Sequence, residues 1–152
     1  MIAWRITKTK YLDTAMSGLG AKGASGRWNT KGKLVVYAAA TPSQAILEML
    51  VRQVSHSFLE QHYSFLKVEF PAELTRSVDF SLLPPEWHKT YHPIPQQLGD
   101  QWLQDMESAV LEVPSAVTLL ESNYLLNPLH PDFSQITISG PIPVRFDPRL
   151  AK

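Results

Sequence analysis

At 152 residues, with 44% hydrophobic and 18% charged side chains, the chain has the size and composition of one globular domain and not of a disordered protein. Its 14 basic and 14 acidic residues cancel, which argues against a protein that lives on phosphate backbones but allows one small anion held by two or three arginines. With no cysteine there is no disulfide framework, thiolate nucleophile or cysteine-based zinc site, and a reducing compartment poses no problem.

Residues 1–7 read as a strand, with Ile2, Trp4 and Ile6 on one side and Ala3 and Arg5 on the other. An arginine in so short and apolar a strand has two readings: an edge strand with Arg5 in solvent, or a strand that points it into a polar cleft. No charged leader precedes an apolar core at this end, and no apolar run approaches the roughly 18 residues of a membrane span. A soluble cytoplasmic protein is the expectation. Residues 11–26 carry Gly18, Gly20, Gly23 and Gly26, backbone that can approach a ligand closely, but no GxGxxG or GKS/GKT phosphate loop.

Residues 34–39 form a continuous apolar run containing Tyr37, most simply a central strand. Thr41, Pro42 and Gln44 then announce a helix, as cap, first-turn proline and distal partner of a capping box. Its expected buried stripe is Ile46, Met49, Leu50 and Gln53 or Val54, which places Glu48 on the other side, one turn before Arg52. A surface ion pair between Glu48 and Arg52 is the plain reading of that spacing.

Residues 63–70 alternate, with Leu66, Val68 and Phe70 facing one way and Lys67 and Glu69 the other, as in a half-buried strand that Pro71 ends. A weaker strand follows at 75–80. Pro84, Pro85, Pro93 and Pro95 make 81–95 an irregular excursion, and 98–108 is the next expected helix, with Trp102, Leu103 and Met106 inward. Residues 109–117 read as a strand interrupted at Pro114, marking an edge or a bulge. Residues 123–131 read as a loop of fixed course, and 136–139 and 142–146 as two short strands either side of Gly140-Pro141. No repeat or linker divides the chain, so a single α+β domain over residues 1–152 is expected.

His88 and His92 are four apart but lack the acidic partner of an HExxH pattern and sit in proline-broken chain, so no metal site is expected. Ser115, His130 and Asp132 supply the residue types of a hydrolase triad without a nucleophile elbow. The remaining set is Arg5, Arg27, Tyr37 and Glu48, with Ser115 and Asn127 later in the chain. These types suit cleavage of the nicotinamide–ribose bond of NAD. A carboxylate beside a ribose hydroxyl stabilises the positive charge that develops on the sugar. Arginines hold the pyrophosphate through charge-assisted bonds, and an aromatic ring orients the departing nicotinamide. Positioning and electrostatics do most of the work, so neither metal nor thiol is needed. Spacing alone does not select this reaction.

Six segments in order carry a resemblance. They are Trp4-Arg5-Ile6, Gly26-Arg27-Trp28-Asn29, Val36-Tyr37-Ala38-Ala39, Ala45-Ile46-Leu47-Glu48, Val113-Pro114-Ser115-Ala116-Val117 and the run from Asn123 to Pro131. Together they resemble the RES-domain toxins of bacterial toxin–antitoxin systems, over nearly the whole chain. The resemblance implies an ADP-ribosyltransferase-like fold, a compact α+β domain with a split, mixed sheet and flanking helices around an NAD cleft. It implies an NAD+ glycohydrolase that depletes cellular NAD and arrests growth, although some relatives ADP-ribosylate a protein or pass ADP-ribose to phosphate instead. It also implies an Xre-type helix-turn-helix antitoxin that blocks the cleft, with DNA contacted only through that partner, in a higher-order complex.

By the same resemblance Glu48 is the catalytic carboxylate, Arg5 contacts NAD+, and Arg27, with Trp28 and Asn29 of its loop, adds phosphate or ribose contacts. Tyr37 lies against the nicotinamide, Ser115 completes the catalytic set, and Asn127 supports the bound nucleotide. A non-enzymatic module that holds a nucleotide or a partner helix in the same cleft is the alternative of a different class.

Overall fold

Seven strands form one mixed sheet in the computed structural model, which describes residues 1–89 and 92–151. In chain order they are β1 (Ile2–Lys8), β2 (Val36–Ala39), β3 (Tyr63–Glu69), β4 (Thr75–Ser77), β5 (Val110–Pro114), β6 (Ser122–Leu126) and β7 (Thr137–Pro143). Across the sheet the order is β4-β5-β6-β2-β1-β3-β7, and every neighbouring pair is antiparallel except β4 with β5. Helices α1 (Leu19–Lys22), α2 (Pro42–Leu50) and α3 (Pro93–Asp105) lie in the connections, so the architecture is α+β. No helix among the described residues is long and apolar enough to cross a membrane.

The pairing is uneven in a way that matters for the site. β1 pairs with β3 along its whole length, from Ile2↔Glu69 to Lys8↔Tyr63, yet meets β2 only at Trp4↔Ala39. The sheet is therefore split between β1 and β2 and joined at one point, in line with the split, mixed sheet expected from the resemblance. Buried side chains cover both faces. Ala3, Val36, Val68 and Leu126 belong to one cluster, and Trp28, Trp102, Val113 and Leu125 to another. Met49, Phe58 and Tyr63 form a third, smaller core at the C-terminal end of α2.

Four expectations are corrected. The segment read as a loop from Asn123 contains all but the first residue of β6, a central strand between β5 and β2. Its Tyr124 and Leu126 enter one core cluster and Leu125 the other, the two-sided burial of an interior strand. Helix α3 begins at Pro93, not at residue 98, because both prolines fall in its first turn, where an N–H would have no helical acceptor. His92 caps it, its Nδ1 accepting the Ile94 N–H at 3.1 Å. β7 is one strand and not two: it pairs with β3 on both sides of Gly140-Pro141, with a register shift between Phe65 and Lys67. There the β7 partners run from Ile142 to Ser139, one residue more than β3 spends, and Gly140 takes φ of 117°. β5 is interior, and Pro114 ends it without interrupting it.

Candidate active site

A cleft of about 690 Å³ opens where the sheet is split, within the span usual for small-molecule sites. Its walls include Arg5 from β1, Tyr37 from β2, Glu48 from α2, Asn123 from β6, Arg52 just beyond α2, and the loop carrying Arg27.

Helix α2 starts as its sequence predicts, with the Gln44 N–H donating to Thr41 Oγ1 at 3.1 Å and Pro42 in the first turn. The Gln44 side chain does not turn back to complete the box. It is buried and lies 3.5 Å from both Glu48 Oε1 and Asn123 Oδ1. The buried face of the helix is Gln44, Ala45 and Met49, rotated from the expected stripe, while Val54 lies beyond the helix in full solvent. That rotation brings Glu48 to the cleft. Glu48 Oε1 accepts hydrogen bonds from Ser115 Oγ and Asn123 Nδ2, both at 2.7 Å. No described residue donates to Oε2. The expected ion pair is absent: Arg52 Nε donates to the backbone carbonyl of Glu48 at 3.2 Å, and the carboxylate turns toward the β5–β6 connection.

Ser115 is 0% exposed, and its oxygen also accepts the N–H groups of Val117 and Thr118 at 3.1 and 3.2 Å. With those two bonds filling its acceptor capacity, its one proton goes to Glu48. Ser115 thus holds the carboxylate and is not poised as a nucleophile. The triad considered from sequence is not assembled, since His130 engages the Met106 carbonyl and the Asp132 N–H.

Arg5 does not sit on an edge strand, because β1 lies between β2 and β3. Its guanidinium donates to the carbonyls of Ala15 at 3.3 Å and Tyr37 at 3.2 Å, the second bond crossing the split. No carboxylate pairs with it among the described residues. Burial first, and then the charge of Arg52, lower its pKa to about 10, which leaves it cationic at neutral pH.

Tyr37 is held at its far end. Its hydroxyl donates to Asn29 Oδ1 and accepts the Trp28 N–H at 3.3 Å. Gly26 makes room for this: a Cβ there would stand 2.5 Å from Asn29 Oδ1 and 2.7 Å from the Tyr37 hydroxyl. Helix α3 clamps the loop from behind. Gln96 Nε2 donates to the Gly26 carbonyl at 2.9 Å, and Asp100 accepts the Thr30 N–H at 3.0 Å and hydroxyl at 2.6 Å. A Cβ at Gly99 would fall 1.8 Å from the Trp28 carbonyl oxygen, so only glycine permits this approach.

Of three further residues expected to touch a nucleotide, Trp28 and Asn29 line the cleft but are almost wholly buried, and Asn127 lies outside it. Trp28 is 3% exposed, its ring packed 5.7 Å from that of Trp87, so it backs the loop at the cleft wall. Asn29 is fully buried, with Nδ2 donating to the Ala24 and Thr30 carbonyls and Oδ1 accepting from Tyr37. Asn127 turns the chain after β6, its Oδ1 accepting the Leu129 N–H at 3.0 Å and its Nδ2 lying 3.4 Å from Met106 Sδ. Arg27 does line the cleft, with Nη1 donating to the Trp87 carbonyl at 2.9 Å and the guanidinium 5.9 Å from that ring. Asn123, Gln96, Gly99 and Asp100 were not singled out as site residues from sequence. Asn123 comes to Glu48 only because β6 pairs Asn123 with Val113, two residues before Ser115, and no local pattern announces that.

The RES domain profile matches residues 2–147. A protein named Toxin Res from Photorhabdus laumondii subsp. laumondii is 35% identical over 157 residues, spanning 100% of this chain and 98% of its own length. The Prs ADP-ribosylating toxin of a Sphingobium species is 34% identical over 155 residues, spanning 98% of this chain and 96% of its own. Among solved structures, a chain of the M. tuberculosis MbcT–MbcA toxin–antitoxin complex superposes with a TM-score of 0.74 at 16% identity, covering 95% of this chain and 84% of that one. That likeness is one of fold. The profile match and the full-length relatives establish the family: the chain belongs to the RES-domain family.

Proposed function

We propose that this protein is the toxin of a toxin–antitoxin pair and an enzyme that hydrolyses the nicotinamide–ribose bond of NAD+. The observation that carries this reading is the Glu48 carboxylate. One oxygen is saturated by Ser115 and Asn123, the other has no donor among the described residues, and the cleft beside it also holds Arg5 and Arg52. As the bond breaks, its electron pair leaves with the nicotinamide nitrogen, and positive charge spreads over the ribose anomeric carbon and ring oxygen. Water then attacks that carbon and loses a proton, giving ADP-ribose. Glu48 accepts a hydrogen bond from a ribose hydroxyl through Oε2 and stabilises the cationic sugar, fixed in place beforehand by the neutral donors Ser115 and Asn123, with the Gln44 amide at a longer 3.5 Å. Arg5 supplies positive charge for the diphosphate. Tyr37, immobilised by Asn29 and Trp28, provides a rigid wall for the nicotinamide ring.

The names of the relatives support the toxin reading, and the solved toxin–antitoxin complex of the same fold supports a protein partner. We take that partner to be an Xre-type antitoxin that covers the cleft in the cytoplasm, leaving DNA contact to the antitoxin. The Sphingobium relative, named as ADP-ribosylating, favours a second reading in which the ribosyl cation is captured by a protein or phosphate acceptor. The test is nicotinamide release from NAD+ carrying a label in its ADP-ribose half, with wild type and Glu48→Gln. Hydrolysis predicts free labelled ADP-ribose from wild type and none from the folded variant; label on an acceptor selects transfer. Undiminished release by Glu48→Gln would overturn the assignment of the carboxylate.

A further inference from the structure

Arg52 has no role in the reading above beyond sharing the cleft. It follows Glu48 by one helical turn, and its Nε is occupied by the Glu48 carbonyl at 3.2 Å. That bond orients the guanidinium while leaving both terminal nitrogens without a partner among the described residues. The side chain is exposed, at the mouth of the same cleft that Arg5 enters from β1. Neither arginine forms an ion pair with a carboxylate among the described residues. Glu48, the acidic side chain in the cleft wall, commits its bonded oxygen to Ser115 and Asn123. The two cations also feel each other, since the charge of Arg52 is one cause of the lowered pKa of Arg5. Two guanidinium groups held within mutual influence, neither in an ion pair among the described residues, repel one another, and a bound anion relieves that repulsion.

We propose that Arg52 is a second diphosphate-binding residue, which with Arg5 lets the cleft discriminate nucleoside diphosphates from monophosphates. The proposal rests on the reading of the cleft as an NAD+ site. Arg5, buried and bonded to two carbonyls, takes the deeper phosphate. Arg52, preoriented and solvated, takes the outer one with the donors it has free. Its contribution is to binding in the ground and transition states alike, so it is a specificity-determining residue and not a catalytic one.

The test uses ADP and AMP as unreactive probes in calorimetric titrations of wild type, Arg52→Gln and Arg52→Lys, alongside NAD+ kinetics. Loss of a charge-assisted bond predicts that Arg52→Gln weakens ADP binding by roughly tenfold or more, with AMP changed by less than about threefold. Arg52→Lys, which keeps the charge, recovers part of the ADP affinity. In turnover, KM for NAD+ rises by about tenfold while kcat stays within about twofold. Unchanged ADP affinity in Arg52→Gln, or equal weakening of ADP and AMP, overturns the role of Arg52 and leaves the NAD+ site standing. Failure of wild type to bind ADP at all overturns both readings.

Discussion

Ser115 and Glu48, 67 positions apart in sequence, share a hydrogen bond of 2.7 Å whose direction is fixed by the two backbone N–H groups already on the serine oxygen. The bond ties the β5–β6 connection to α2 and points one carboxylate oxygen away from the ligand side. Ser115→Ala removes the donor while Asn123 keeps its hold. Turnover is expected to fall by roughly tenfold to a hundredfold, less than the loss of an oxyanion-hole donor. Stability should fall by about 1–2 kcal/mol, because the Val117 and Thr118 N–H groups lose their acceptor. Nicotinamide release and urea unfolding measure the two effects separately. A serine acting as nucleophile would show complete loss of activity instead.

Asn123 donates to the same oxygen as Ser115. Two donors on one acceptor cannot be independent, so Ser115→Ala and Asn123→Ala should be non-additive in turnover, with a coupling of about 0.5–3 kcal/mol. A double-mutant cycle on kcat/KM reads this directly. Strict additivity would mean that the two residues support catalysis through separate routes.

The parts of this fold that were legible in the sequence are those with local signals. Thr41-Pro42 with Gln44 marks the start of α2, and the alternation of Leu66, Val68 and Phe70 marks β3, because caps and pleats act within a few residues. β6 was not legible. Asn123, Asn127 and Pro128 punctuate it like a loop, and only its burial between β5 and β2 makes it a strand. The site divides in the same way. Arg5, Tyr37 and Glu48 stand out as motif residues and do line one cleft. By projection along α2, however, Glu48 looks solvated and paired with Arg52, since nothing local reports that the packed face is rotated toward Gln44 and Ala45. Trp28 and Asn29, adjacent to Arg27, are almost wholly buried at the cleft wall because α3 packs behind their loop, a contact between positions 70 apart in the case of Thr30 and Asp100.

Two glycines in this arrangement should respond differently to alanine. At Gly99 the new methyl meets the Trp28 carbonyl, which is backbone and cannot step aside. Gly99→Ala is expected to destabilise by about 3 kcal/mol or more and to give mostly unfolded protein. At Gly26 the methyl meets the ends of the Asn29 and Tyr37 side chains, which can shift. Gly26→Ala should therefore fold, with a milder stability loss of about 1–3 kcal/mol, and lose activity through misplacement of Tyr37. Circular dichroism during urea titration separates the two. A folded, fully active Gly26→Ala would show that the position of Tyr37 is immaterial.

Tyr124, in β6, gives the fold an alkaline limit. Burial, and then its hydrogen bond to Glu112 at 3.0 Å, push its phenol up to about 12, against about 10 for an unfolded tyrosine. The folded chain keeps a proton that the unfolded chain releases in this interval. Its stabilising contribution is whole below about pH 10 and is lost as pH rises through about 12. Denaturant midpoints measured from about pH 9 to 12 should fall more steeply for wild type than for Tyr124→Phe. Parallel curves would rule Tyr124 out as a source of the slope.

Arg5 links the split halves of the sheet yet carries a buried charge with no acid beside it. Its two hydrogen bonds to the Ala15 and Tyr37 carbonyls favour the fold, and its desolvation opposes it, which is why its pKa is depressed to about 10. Replacement by methionine removes both terms while keeping an unbranched side chain that fills part of the space. Arg5→Met should therefore stay within about 2 kcal/mol of wild type in unfolding free energy while NAD+ turnover falls by roughly a hundredfold or more. Arg5→Lys should be nearly as inactive, because a lysine ammonium cannot reproduce the two-point hold of the guanidinium. Equilibrium unfolding and nicotinamide release, run on the same preparations, decide the matter. A loss of stability well beyond that limit, with activity surviving in the folded fraction, would make Arg5 a structural strut across the split and remove it from the site.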